Sequence, residues 1–403
     1  MERVENLLVI SNHYLTFVKD LCKGLSQFIP SIYVFVHHNY LSELAKYLPF
    51  SYFRYVEKFS KNRLIDLTGK PENVKVHVVS TLYLTPDGRN MRLGDRLSKK
   101  FEEFIQKNKI EFDLIHAHFT WPSGYAAAKL SKEFNVPLVI TAHGYDVYDL
   151  PFRSREWFRK VKFALDSADH IITVSRSNFI VLVTKLDISE DKISIIPNGF
   201  DPYLFKPMDK VLARKQLDLP QDKKIILNVA NLVSIKGHKY LIEAIKNVVK
   251  GREDIMLIIV GDGPLRKDLE KQIKKLNLES YVKLVGAKPH HEIPLWMNAA
   301  DLFVLPSLSE GNPTVMFEAL GVGLPFVGTA VGGVPEIITS EDYGLLCEPA
   351  NPKDLAEKIL IALEKDWDRE KIRKYAEQFT WENIAQKILT IYEEVLSYES
   401  DFV

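Results

Sequence analysis

Leu302-Phe303-Val304-Leu305-Pro306-Ser307-Leu308-Ser309-Glu310-Gly311-Asn312-Pro313-Thr314-Val315-Met316-Phe317-Glu318-Ala319-Leu320 decides the reading of this chain. Four apolar residues form a short buried strand, a polar loop follows, and a helix begins. Asn312 suits the N-cap and Pro313 the first helical position. Backbone N–H groups at such a start attract phosphate, and the helix macrodipole adds to that attraction. Glu310 precedes the helix, and Glu318 lies about one and a half turns inside it. A carboxylate beside a phosphate cradle repels the phosphate, so each glutamate is expected to face hydroxyls, which donate well to charged acceptors. A diphosphate flanked by two polyols is a nucleotide sugar. Taken alone, the same residues also read as a solvated glutamate and a helix-surface glutamate.

Outward from this stretch, short β-rich runs alternate with longer helical patterns, the mark of parallel α/β architecture. Strands are expected at Asn6–Ile10, Ile32–Val36, Val74–Val79, Asp113–His116, Leu138–Thr141 and His170–Val174, with helices such as Leu93–Gln106 and Gly124–Phe134 between them. Ile193 to Ile196 adds a short strand before a turn-rich segment, Pro197 to Asp201. Phe205 to Asp222, broken by Pro207 and Pro220, reads as a linker leading into a helix. The pattern then restarts with Ile225–Val229, Met256–Val260, Val282–Val285, Leu302–Leu305 and Pro325–Val327. Two doubly wound domains of similar size, meeting at a cleft, follow: residues 1–200 and residues 201–380. A final helix, about 381–403, carries Ile384, Ile388, Ile391, Tyr392 and Leu396 at helical spacing and should dock on something.

The 403 residues suit two domains, and 46% hydrophobic with 26% charged residues is an ordinary globular composition. A formal net charge of zero gives no bulk attraction to nucleic acid, so none is expected as a partner. The first 205 residues carry roughly four excess positive charges and the rest roughly four negative ones. Two cysteines, Cys22 and Cys347, cannot build a disulfide framework or a cysteine zinc site. Met1-Glu2-Arg3-Val4-Glu5 and the apolar strand after it lack the form of a signal peptide, and no apolar run approaches the ~20 residues of a membrane span. A cytoplasmic protein is the expectation. Phe152 to Phe163 mixes basic and aromatic residues on a helix, which points to peripheral contact of the N-terminal domain with the inner face of the plasma membrane, or to a solvated helix with its aromatics packed inward.

Further groups gather at strand ends. His116 and His118 would share one face of a strand, but no cysteine or spaced carboxylate completes a metal site. His143 follows an apolar strand and precedes Gly144, where the backbone can turn and a ligand approach; a buried, hydrogen-bonded histidine fits equally. Asn231 and Lys236 lie in the loop after Ile225–Val229, and a lysine there can neutralise a diphosphate as a mobile point charge. Val260-Gly261-Asp262-Gly263-Pro264 is a strand-to-helix turn with Arg266 where a third glycine would complete a dinucleotide fingerprint. Gly321-Val322-Gly323 fails the same test at Phe326, which argues against an NAD or FAD enzyme. Val331-Gly332-Gly333-Val334-Pro335-Glu336 is a glycine turn after a buried strand that permits close backbone approach to a ligand, though alone it is merely a turn. Asp366-Trp367-Asp368 has the spacing of a metal-binding pair but follows no strand, and reads as a solvated turn.

In this order and spacing, Pro197-Asn198-Gly199, Lys236-Gly237, Gly261-Asp262-Gly263-Pro264, the Glu310 to Glu318 pair and Gly332-Gly333-Val334-Pro335-Glu336 resemble the retaining glycosyltransferases of glycosyltransferase family 4 (glycosyl transferases group 1). The resemblance covers nearly the whole chain. It implies the GT-B fold: an N-terminal Rossmann-like domain binding the acceptor, with the last helix returning to it, and a C-terminal Rossmann-like domain binding the nucleotide sugar. It also implies roles residue by residue. Glu318 holds the ribose hydroxyls, while Glu310, with Gly311, Asn312, Pro313 and Thr314, grips donor sugar and diphosphate. Lys236 neutralises the diphosphate, and His143 reaches the donor sugar near the reacting centre. Gly261 and Gly263 belong to the donor site. Asn231 stands where many relatives have an arginine, and Ser11 to Val18 replaces their Gly-Gly loop.

The function so implied is a metal-independent, cofactor-free transfer of a hexose-type sugar, with retained configuration, from a UDP- or GDP-sugar to a glycan or lipid-linked acceptor. The loop after the first strand, with His116 to Phe119, looks more like the branch serving surface-glycan assembly. A sugar-nucleotide 2-epimerase uses the same fold, and a non-catalytic nucleotide-sugar-binding module is the third reading. An epimerase acts without an acceptor, which separates it from the first.

Overall fold

A computed structural model describes residues 3–45, 60–83 and 87–400 of the chain. Met1 and Glu2 of the expected first domain and residues 401–403 of the expected last helix lie outside the described residues. The chain divides into two compact units, Met1–Pro197 with Trp381–Val403, and Asn198–Thr380.

In the first unit the described strands are β1 (Asn6–Ser11), β2 (Ser31–Asn39), β3 (Val74–Thr81), β4 (Leu114–His118), β5 (Leu138–Ala142), β6 (His170–Thr173) and β7 (Ile193–Ile195). They pair in parallel in the order β3-β2-β1-β4-β5-β6-β7. Alternation within each strand splits the core into two layers. Leu8, Ile10, Phe35, Ile115, Ala117 and Ile140 pack with residues of helices Leu93–Asn108, Tyr125–Phe134 and Arg155–Ser167. Leu7, Val9, Val34, Val36, Leu114 and Val139 pack on the other face with helices Thr16–Leu25 and Trp381–Ser400. The last helix buries Trp381, Ile384, Ala385, Ile388, Ile391, Tyr392, Val395 and Leu396. It crosses Thr16–Leu25 at Gly24, where a Cβ would sit 2.9 Å from the Trp381 carbonyl oxygen.

In the second unit β8 (Lys224–Val229), β9 (Ile255–Val260), β10 (Val282–Gly286), β11 (Leu302–Leu305), β12 (Phe326–Thr329) and β13 (Gly344–Cys347) pair in the order β10-β9-β8-β11-β12-β13. Every residue of β9 is buried, as expected of a central strand covered by helices on both faces. Strand β13, with its Gly-Leu-Leu-Cys sequence, escaped the sequence reading because it carries no β-branched residue. The linker segment contains a helix, Lys210–Gln216, capped by the Asp209 carboxylate accepting from Leu212 N.

One local expectation is corrected. The helix after β11 runs Thr314–Gly321, with Pro313 in the cap position and no side chain capping it. Asn312 is drawn off instead. Its Oδ1 accepts from Asn198 N at 2.8 Å, and its carbonyl accepts from Asn198 Nδ2 at 2.7 Å. The side-chain oxygen that a cap would use is thus taken by the backbone of the Pro197-Asn198-Gly199 segment.

Candidate active site

Each sheet reverses its order of strand addition once, between β1 and β4 and between β8 and β11. Loops leaving the carboxyl ends of strands at such a switch point diverge and leave a crevice. In the second unit the two diverging loops carry Asn231 to Lys236, after β8, and Pro306 to Pro313, after β11. Backbone contacts fix them against each other: Leu308 N donates to Ile235 O at 2.7 Å. Gly237, at φ 69°, lets the lysine loop pass the Pro306 carbonyl where a Cβ would overlap it.

This docking brings Lys236 to Glu310. Lys236 Nζ and Ser307 Oγ each donate to Glu310 Oε1 at 2.6 Å, and the Glu310 side chain is only 7% exposed. Eight residues on, the buried Glu318 is tethered in the same manner. His290 Nε2 donates to Glu318 Oε1 at 2.8 Å, since a carboxylate can only accept, and the imidazole lies 5.2 Å from the Phe205 ring. Among the described residues neither glutamate commits its Oε2 to a partner. Each is held by one oxygen, and the other has no described partner. His290 and Ser307 were missed by sequence reasoning, and no periodicity or motif signals either of them. Asn231 is exposed and offers its amide without a charge.

The glycine motifs allow close packing of the chain on itself. A Cβ on Gly261, at φ 149°, would overlap the Ala230 carbonyl, and one on Gly263 would sit 2.6 Å from the Leu232 carbonyl oxygen. They let the turn after β9 lie against the loop after β8, where Ala230 N donates to Val260 O and Leu232 N to Asp262 O, both at 3.0 Å. Gly332, at φ 54°, abuts the Glu310 carbonyl, and Gly333 N donates to Gly311 O at 2.9 Å. The close approach read from Gly332-Gly333 is therefore to the backbone of the Glu310 loop.

In the first unit, histidines gather at the carboxyl ends of β1, β4 and β5. His116 is structural: Nδ1 meets Tyr392 Oη at 2.6 Å and Nε2 meets Thr141 Oγ1 at 2.7 Å, leaving it no nitrogen for a metal. Burial pushes its pKa down to about 3. His118, on the same face of β4, meets His143 through Nδ1···Nε2 at 3.1 Å. Phe17 and Phe119 lie 4.6 Å from the His143 ring, at 43° and 44°. Burial, then the neighbouring His118 and His13, holds His143 well below the usual histidine range, so the ring is neutral. Its backbone is pinned by Asp146, whose Oδ1 accepts from His143 N at 3.0 Å and Gly144 N at 2.9 Å, and whose Oδ2 accepts from Thr120 N at 2.8 Å.

The helix Arg155–Ser167 buries Trp157, Val161, Ala164 and Leu165, and Phe158 and Phe163 pack against the same core. Phe152 alone of those aromatics is exposed, at 46%. Asp368 of the Asp-x-Asp pair caps the helix Arg369–Ala376, accepting from Lys371 N at 2.9 Å. Among the described residues no helix is long and apolar enough to cross a membrane.

Two doubly wound parallel α/β units are the architecture of the GT-B fold. Residues 209–379 match the family model described as glycosyl transferases group 1, and residues 16–203 match that of glycosyltransferase family 4. The chain is 32% identical over 301 residues to the uncharacterized glycosyltransferase MJ1178 of Methanocaldococcus jannaschii, covering 72% of this chain and 79% of that protein. It is 37% identical over 271 residues to the putative teichuronic acid biosynthesis glycosyltransferase TuaC of Bacillus subtilis, covering 66% of this chain and 64% of that protein, just under two thirds of its length. The fold matches the crystal structure of Anabaena HepE in complex with UDP and glucose, with a TM-score of 0.73 and 22% identity over 97% of this chain and 100% of that one. The chain belongs to glycosyltransferase family 4 and is a transferase enzyme.

Proposed function

We propose that the enzyme moves a hexose-type sugar from a nucleoside diphosphate, UDP or GDP, to a glycan or lipid-linked acceptor with retention of configuration. The observation that carries this reading is the pair of half-committed glutamates flanking an uncapped helix start, with Lys236 at the nearer one. The free oxygen of Glu318 takes the ribose hydroxyls and that of Glu310 takes hydroxyls of the donor sugar. Lys236 and the N–H groups of Gly311, Asn312 and Thr314 receive the diphosphate, with Asn231 adding hydrogen bonds. A UDP-bound structural neighbour and a relative named for teichuronic acid synthesis support a UDP-sugar donor and a surface-glycan acceptor.

In the reaction the bond from the anomeric carbon to the diphosphate oxygen breaks, and its electron pair stays on the diphosphate. Lys236 and the helix start act most strongly as that charge develops. The acceptor oxygen bonds the anomeric carbon on the face just vacated and passes its proton to the departing phosphate oxygen. His143 orients the cationic sugar.

The test is product analysis by proton NMR with UDP-glucose, UDP-N-acetylglucosamine and GDP-mannose, in EDTA, with and without oligosaccharide acceptors. One donor should yield an acceptor-dependent product of unchanged anomeric configuration. Glu318→Ala should raise its KM by roughly 10-fold or more, as expected for loss of charged hydrogen bonds. Inverted product, or epimerised sugar without acceptor, would overturn the reading.

A further inference from the structure

His118 is 1% exposed, and its Nε2 is buried with no described partner. Its Nδ1 lies 3.1 Å from His143 Nε2, with the two rings tilted by only 26° and their centroids 5.3 Å apart. Rings that close in nitrogen contact but that far apart in centroid meet edge to edge, so the donor proton and acceptor lone pair lie nearly in both ring planes. Burial holds both imidazoles neutral, so each has one N–H and one proton lies in the shared contact. Two arrangements satisfy this. If His143 donates, His118 must carry its proton on Nε2 and bury an unmet N–H. If His118 donates, its Nε2 is a bare lone pair, and orphaned acceptors are better tolerated than orphaned N–H groups. The second arrangement leaves the proton of His143 on Nδ1, which bonds to no described residue and is not among the buried orphan atoms.

We propose that His118 is a positioning residue for the transfer: by donating Nδ1–H to His143 Nε2, it fixes the tautomer in which His143 presents an N–H at Nδ1 to the donor sugar. The inference rests on the reading of His143 as the group that contacts that sugar. Phe17 and Phe119 restrict rotation of the His143 ring, Asp146 pins its backbone, and His118 sets where its proton lies. An oxygen of the donor, not a proton it must shed, is then what His143 meets.

The test pairs a spectroscopic readout with kinetics on the full chain. Long-range nitrogen–carbon-proton correlation spectra of histidine-labelled protein report the tautomer of each ring without any ligand, and His143→Ala identifies its signals. Wild-type His143 should carry its proton on Nδ1, and His118→Leu should shift it to the Nε2–H form usual for histidine in water. Release of nucleoside diphosphate from UDP-glucose or GDP-mannose should fall about 10- to 100-fold in kcat for His118→Leu, with KM within about 2-fold. His118→Asn, whose amide nitrogen falls where Nδ1 was, should recover most of the rate and the Nδ1–H signal. A wild-type proton on Nε2, an unchanged tautomer in His118→Leu, or His118→Asn as impaired as His118→Leu would overturn the inference. A fully active His143→Ala would instead remove the reading beneath it, whereas an inactive His143→Ala beside a fully active His118→Leu would remove this inference alone.

Discussion

Gly332 shows how a residue can be legible in type while its close neighbour is not. Its place in a glycine turn after a buried strand is plain in the sequence, and its φ of 54° is one that glycine adopts freely. The sequence cannot say which atom comes close, and the structure shows it is the Glu310 carbonyl. Gly332→Ala should therefore cost about 2–4 kcal/mol, combining left-handed strain with a backbone overlap that only a loop shift relieves. Gly69 is the control: its φ is 66°, but no atom lies within 4 Å of its Cβ position, so Gly69→Ala should cost only about 1 kcal/mol. Urea denaturation of both variants checks this, and equal costs would contradict it. Lys236, Glu310 and Glu318 were readable as candidates because they stand at a strand end or around a helix start. His290 and Ser307 were not, because their roles arise from contacts between segments that share no pattern.

At the scale of elements, the parallel strands were legible wherever β-branched runs met turn residues, as in Ile255–Val260. Strand β13 lies at the sheet edge and carries only leucines, glycine and cysteine, so its pairing with β12 decides its state. The helix start at Thr314–Gly321 was legible to within two residues. Its cap was not, because Asn312 has a tertiary suitor in Asn198 that local rules cannot see. That loss leaves the first turn without a side-chain partner, which fits the role proposed for it. The last helix was legible from its apolar spacing, and its depth comes from a feature outside itself: Gly24 on Thr16–Leu25 admits the Trp381 carbonyl.

For the whole molecule, buried histidines are distributed unequally. His13 and His116 are pushed down to about 4 and about 3, His118 and His143 also lie well below the ordinary range, and all four belong to the first unit. In the second unit His238 is held at about 4, by burial and then by Lys236. A histidine kept neutral when folded takes up a proton only when unfolded, so its contribution is full above pH ~6.5 and is lost as pH falls toward the folded value. Each group can remove up to about 1.4 kcal/mol per pH unit in that window. The first unit should thus unfold at a higher pH than the second on titration from pH 7 to pH 4. Hydrogen exchange resolved by segment reads this directly, and loss of protection in 198–380 before 3–197 would contradict it.

The central claim is that a nucleoside diphosphate sugar sits where the loops after β8 and β11 diverge. Hydrogen exchange with mass spectrometry, in the presence and absence of UDP-glucose or GDP-mannose, tests it most directly. One of them should slow exchange in residues 231–240 and 306–318, and Glu318→Ala should abolish that protection at the same concentration. A donor that is consumed while those two segments exchange at an unchanged rate would contradict the account.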